Sequence, residues 1–193
     1  MAAPKFCERG FSLIEVLVTL IIVAVGLLGL GKTQMVLQQA DMESYQRAQA
    51  LVLANDMLDR ISANRYAAPC CAFTTNVGGY LGDPGGGGHL ADPTCGLGSA
   101  TAEQVARASN DLRAWDVLLQ GASETRAGAN AGAMVGARGC VQFNAATSAY
   151  TVVVVWQGIS ETFAPVVACG NGLYGAESQR RAVAVTLRIA RLL

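Results

Sequence analysis

Gly10-Phe11-Ser12-Leu13-Ile14-Glu15-Val16-Leu17-Val18 opens an apolar block that runs to Gly31, interrupted only by Ser12, Glu15 and Thr19. At about 1.5 Å of rise per residue, a helix of that length reaches roughly 30 Å, the thickness of a bilayer's hydrocarbon core. The ten residues before it carry Lys5 and Arg9 against Glu8. A short basic flank of this kind stays on the cytoplasmic side and sends the far end of the apolar segment outward. A secretory signal usually has an apolar region of only about 7–15 residues ending in a small-residue cleavage site. Here the run is longer and holds a carboxylate near its start.

That carboxylate sets the argument. An ionised side chain within a membrane span costs about 3 kcal/mol on the lenient insertion scales, so it marks function until a partner is named. No cation follows Glu15 inside the span. A cut after Gly10 would create one, because Phe11 would then present a new α-amino group four residues from Glu15. An amine sits poorly at the positive end of its own helix dipole, whereas a carboxylate is favoured there. Glu15 of one subunit opposite the Phe11 amine of a neighbour would relieve both charges. The pair would also set the axial offset of two packed helices, as a polar residue sets coiled-coil register.

The stretch from Gly10 to Val18, behind its short basic leader, resembles the cleavage and methylation signature of type IV prepilins and pseudopilins. That resemblance implies cutting by prepilin peptidase between Gly10 and Phe11 and N-methylation of Phe11. Glu15 would serve assembly, and the apolar segment would remain as anchor. It implies a type IV pilin-like α+β fold, a long N-terminal helix with a transmembrane first half packed on an antiparallel β-sheet head. The expected divisions are a leader at 1–10, an assembly half-helix at 11–31, a periplasmic half-helix at 32–66 and a head at 67–193.

The apolar block also satisfies a phosphate-loop expression at Gly26-Leu27-Leu28-Gly29-Leu30-Gly31-Lys32-Thr33. A phosphate cradle needs a solvent-facing loop of backbone N–H groups, and a later strand with an acidic residue for magnesium. Three leucines suit lipid or helix packing better, and Val152 to Val155 end in Trp156 rather than in a carboxylate. Small glycines let membrane helices approach closely. No nucleotide is expected.

Composition closes other routes. Of the 193 residues, 52% are apolar and 15% charged, with 14 basic against 14 acidic. No net field draws nucleic acid or an anionic surface. The six cysteines include no CxxC pair, and the single histidine, His89, has no second ligand nearby in sequence. No metal, no cofactor and no catalytic residue is expected, and the chain reads as a non-enzyme.

Beyond Lys32 the helical pattern continues to about Asn64, with Met35, Met42, Tyr45, Ala48, Val52, Met57 and Ile61 as its apolar face. Residues 67–100 turn glycine- and proline-rich, with a loop at 78–93 that reads as linker or partner surface. Cys70 or Cys71 against Cys95 could staple it. Thr101 starts a second helix with Leu112, Trp115, Leu118 and Leu119 on one face, ended by Gly121. Cys140–Phe143 and Tyr150–Trp156 read as strands. The last segment alternates, with Val183, Val185, Leu187 and Ile189 set to meet a helix. Cys140 and Cys169 flank the strand pair, which makes them the first candidates for a bridge.

Ser44–Ala50, Leu53–Met57, Tyr150–Gly158 and the segment from Cys169 to Val183 resemble the PilV family of minor pilins in particular. That implies a protein that primes or assembles type IV pili, in the inner membrane with its head in the periplasm, then on the pilus at the cell surface. The implied partners are other minor pilins, the major pilin, prepilin peptidase and the inner-membrane assembly platform. A type II secretion pseudopilin shares the logic of the first thirty residues. A membrane-anchored monomeric periplasmic binding domain is the rival from another class, but a simple tether has no use for Glu15.

Overall fold

The computed structural model describes residues 12–68, 73–75, 79–84, 100–122, 125–130 and 134–189. Helix α1 spans Leu13–Ala63, and the chain divides into two compact units, residues 1–42 and 43–193. In the first unit, α1 is exposed at every residue from 13 to 42. By length and composition the helix is long and apolar enough to cross a membrane.

The second unit takes the rest of α1, helix α2 (Ala102–Leu119), a small hairpin of β1 (Thr125–Arg126) and β2 (Ala129–Asn130), and three longer strands. These are β3 (Arg138–Asn144), β4 (Ala149–Gln157) and β5 (Arg180–Arg188), antiparallel in the order β3-β4-β5. The fold is α+β, a long N-terminal apolar helix with a small antiparallel sheet, as in type IV pilins.

α2 begins where its sequence places it. The Thr101 side chain accepts from the Gln104 N–H, and the Gln104 side chain accepts from the Thr101 N–H, a reciprocal cap. Ala108, Leu112, Trp115 and Leu119 are buried on one face, with Leu118 at its margin. The Trp115 indole donates to the Leu53 carbonyl at 2.9 Å and ties α2 to the buried part of α1.

On α1 the buried face differs from the one the sequence suggests. Met57 and Ile61 are buried as expected, but Tyr45 and Val52 are 55% and 66% exposed. The core face is Gln46, Ala50, Leu53, Ala54, Met57, Leu58 and Ile61. This stretch of helix is apolar on two sides. The side with Ala50 and Ala54 is the one that joins the core shared with α2 and the sheet.

The sheet is covered twice. Tyr150, Val152, Val154 and Trp156 of β4 join Val141 and Val183 in the core with α1 and α2. Val153 and Val155 face the other way, into a second cluster with Cys140, Cys169 and Tyr174. A strand buried on both faces reads as a continuous apolar run, which is why residues 150–156 show so little alternation. The alternation expected of β5 is present: Val183 is buried and Val185, Leu187 and Ile189 are half-buried, whereas Ala184, Thr186 and Arg188 are exposed.

The β1–β2 hairpin lies inside a stretch that reads as glycine- and alanine-rich loop. Ala127 and Gly128 turn it with φ of 52° and 81°. Two central residues at positive φ match the right-handed twist of a two-residue hairpin.

Gly139 is where α2 and β3 meet. A Cβ there would lie 2.3 Å from the Trp115 ring and 2.6 Å from Leu119. Gly139→Ala should therefore destabilise the head by about 1–3 kcal/mol, the usual cost of overpacking, read as a lower midpoint in urea unfolding at unchanged slope.

Candidate assembly site

Two regions hold the residues with a chemical case, one in each unit. In the first, the Ser12 carbonyl accepts from the N–H of Glu15 at 3.0 Å and of Val16 at 3.3 Å, which places Glu15 in the opening turn of α1. A carboxylate is favoured there by the unsatisfied amides of the helix start. Two threonine hydroxyls on this part of the helix bond back to its own backbone. The Thr19 hydroxyl donates to the Val16 carbonyl at 2.9 Å, and the Thr33 hydroxyl to the Gly29 carbonyl at 3.1 Å. Glu15 is exposed, and among the described residues no cation lies against it. Gly10 and Phe11 fall outside the described residues.

Residues 26–33 lie within unbroken α-helix. Their backbone amides are therefore spent on helix bonds and cannot cradle a phosphate. No atom comes within 4 Å of where a Cβ would stand at Gly26, Gly29 or Gly31.

In the second unit the structure joins Cys140 on β3 to Cys169 in the β4–β5 connection, with Cα atoms 5.9 Å apart. The proposed bridge between these two residues is present. Cys70, Cys71 and Cys95 lie outside the described residues, as do His89 and most of the glycine-rich loop at 78–93. Among the described residues no three His, Cys, Asp or Glu side chains converge to hold a metal ion.

The β4–β5 connection is held by groups that sequence reasoning does not single out. Arg180, only 3% exposed, donates to the carbonyls of Val167 at 2.6 Å, Cys169 at 2.8 Å and Pro165 at 3.1 Å. Its Nε donates to Glu177 at 2.6 Å. The Gly172 N–H and the Arg180 guanidinium hold the Glu177 carboxyl below the usual carboxylate range. Tyr174 closes the same cluster by donating to the Gly136 carbonyl at 2.7 Å, and burial pushes its hydroxyl up to about 12. A guanidinium bonded to backbone carbonyls leaves no spacing signature, so nothing in the sequence marks this role.

Glu43 anchors the start of the same connection. Its Oε1 accepts from the Ser160 hydroxyl at 2.9 Å and the Ser160 N–H at 3.3 Å, and Arg181 lies 3.5 Å away. Partial burial pushes the Glu43 carboxyl up, but the two Ser160 bonds and the Arg181 charge together outweigh it and hold it lower than usual. Past this anchor, Phe163 and Val166 are essentially fully exposed.

Residues 5–31 match the family model described as the prokaryotic N-terminal methylation motif. No curated protein and no solved structure matches the chain. The motif is that of type IV prepilin-like proteins, pilins or pseudopilins, which are processed by a peptidase and assemble with other pilins. Together with the exposed apolar helix behind it, it fits a membrane-anchored structural subunit.

A carboxyl whose folded pKa is depressed contributes stability above its unfolded pKa, and that stability is lost as pH falls through the folded value. For Glu43 and Glu177 the window opens below the ordinary carboxylate value of 4.5. Glu43→Gln should flatten the acid limb of the head's stability curve below that pH, measured by urea unfolding across a pH series.

Proposed function

We propose that this chain is a PilV-like minor type IV pilin, and that it takes part in priming or assembling type IV pili. Prepilin peptidase cuts between Gly10 and Phe11 and methylates the Phe11 amine. The apolar segment from Phe11 to Gly31 then holds the protein in the bacterial inner membrane with its head in the periplasm. Assembly draws it into the pilus, where Glu15 meets the new amine of a neighbouring subunit. Its partners are other minor pilins, the major pilin and the inner-membrane assembly platform.

The observation that supports this reading is the match at residues 5–31 together with Glu15 in the first turn of a long apolar helix, where Thr19 and Thr33 bond back to the backbone. A carboxylate left over on an apolar helix is costly in lipid unless a second chain supplies the cation. The resemblance over Ser44–Met57 and Tyr150–Val183 supports PilV over a secretion pseudopilin.

Mass spectrometry of the mature protein should show an N-terminus at methylated Phe11. Glu15→Ala should leave membrane insertion intact and lower entry into sheared pili by tenfold or more, taking about 1.4 kcal/mol per factor of ten as the scale of one lost pairing. Equal incorporation of Glu15→Ala would refute the role given to that residue. Co-purification with type II secretion components, and not with minor pilins, would move the chain to the pseudopilins.

A further inference from the structure

The three-stranded sheet has two edges, and they are finished differently. Along β3, Thr75 and Leu81 take up outward groups. The Thr75 N–H donates to the Val141 carbonyl at 3.0 Å, and Leu81 and Gly139 exchange bonds at 2.8 and 2.9 Å. Along β5 the opposite is found. The Ile189 N–H donates to the Ser148 carbonyl at 3.1 Å and the Gly158 N–H to the Gln179 carbonyl at 2.8 Å. Both pairs are in register with the β4–β5 ladder, so the odd-numbered residues of β5 bond to β4. The N–H and C=O groups of Ala182, Ala184, Thr186 and Arg188 therefore point away from the sheet. Among the described residues no backbone group takes them up.

Natural sheets guard such an edge with charged side chains, proline, a bulge or a very short strand. β5 carries charge only at its ends, at Arg180, Arg181 and Arg188, and residues 182–187 are uncharged. Its nine residues pair one for one with β4 without a bulge, and it contains neither proline nor lysine.

We infer that the outer edge of β5 is a docking site for an extended segment of a different polypeptide, added as a fourth strand. Three features define the occupant. The outward N–H and C=O groups recur at every second residue, a ladder that an extended strand matches along its whole length. Val185, Leu187 and Ile189 are only half-buried against the helix side, so an incoming strand with apolar residues on that side completes their burial. On the other side Arg188 is exposed and makes no ion pair among the described residues, whereas Arg180 and Arg181 are engaged by Glu177 and Glu43. The segment thus alternates apolar with polar residues and carries a carboxylate opposite Arg188. A second copy of β5 fits less well. Laid antiparallel about Ala184 over its full length, it would set Arg188 opposite Arg180 at both ends, and like charges directly opposed destabilise a pair. This inference goes beyond the pilin reading and stands or falls without it, since it concerns the head alone.

The test uses the full-length ¹⁵N-labelled protein in detergent micelles. The probe is an acetylated, amidated nine-residue peptide alternating valine with threonine, one threonine replaced by glutamate. At millimolar peptide, hydrogen exchange should slow at least tenfold at Ala182, Ala184, Thr186 and Arg188. The odd-numbered amides, already bonded to β4, should not change. Replacing the glutamate by lysine should weaken binding about two- to fivefold. Ala184→Pro removes an amide that bonds nothing within the sheet and should abolish binding while leaving the thermal transition in place. Where that variant fails to fold, a peptide N-methylated on its binding edge decides: it should not protect the four amides. Unchanged exchange at the four amides, or equal binding of the methylated peptide, overturns the inference. Protection that rises with protein concentration alone, with a dimer in sedimentation, overturns it in favour of a second copy.

Discussion

Strand β4 is apolar on both faces, and every other feature of the head answers that constraint. Three strands cannot bury two faces of themselves. One face takes α2 and the later part of α1, with Trp115 and Gly139 setting how near the helices come. The other face takes the β4–β5 connection, an irregular segment that has no regular backbone bonding to hold it down. A buried arginine does so instead, spreading one guanidinium over three carbonyls and a carboxylate, while a disulfide fixes the same segment to β3. Removing either layer would leave a row of valines in water, at about 1.5–3 kcal/mol for each side chain fully exposed.

The two units present different surfaces. The head buries an apolar core on both faces of its sheet, though Phe163 and Val166 stand exposed and the Trp156 indole nitrogen is buried without a hydrogen-bond partner among the described residues. The first unit does the reverse: its apolar side chains are all outward and its threonines turn back on the helix. Hydrocarbon asks for that arrangement, because a free hydroxyl there has nothing to bond. Glu15 is the carboxylate set inside that apolar stretch, which is why the functional reading centres on it.

Much of the architecture was legible in the sequence, because the signals were local. Both helices, the start of the second at Thr101, the alternation of β5 and the pairing of Cys140 with Cys169 all come from neighbours in the chain or from strand flanks. The buried side of α1 was not. Tyr45 and Val52 are as apolar as Leu53 and Met57, and the side that joins the core shared with α2 and the sheet is the one with Ala50 and Ala54. Nor could Arg180 be distinguished from Arg181 beside it. One lies under the connection and the other at its margin, a difference made by the turn at Glu177–Gln179 that sets the strand's parity. The hairpin at Thr125–Asn130 is too short for periodicity to register.

The grip of Arg180 also limits how this protein can change over evolutionary time. Its three acceptors, Pro165, Val167 and Cys169, are spaced two residues apart, and the last is itself the bridge residue. One residue gained or lost between Pro165 and Cys169 would bring an N–H where a carbonyl must be. Lysine could not replace the arginine, having no planar fork to reach several oxygens at once. Lineages descended from a common ancestor should therefore keep this short span at constant length, and vary instead between Ser160 and Pro165, where Phe163 stands clear of the comb.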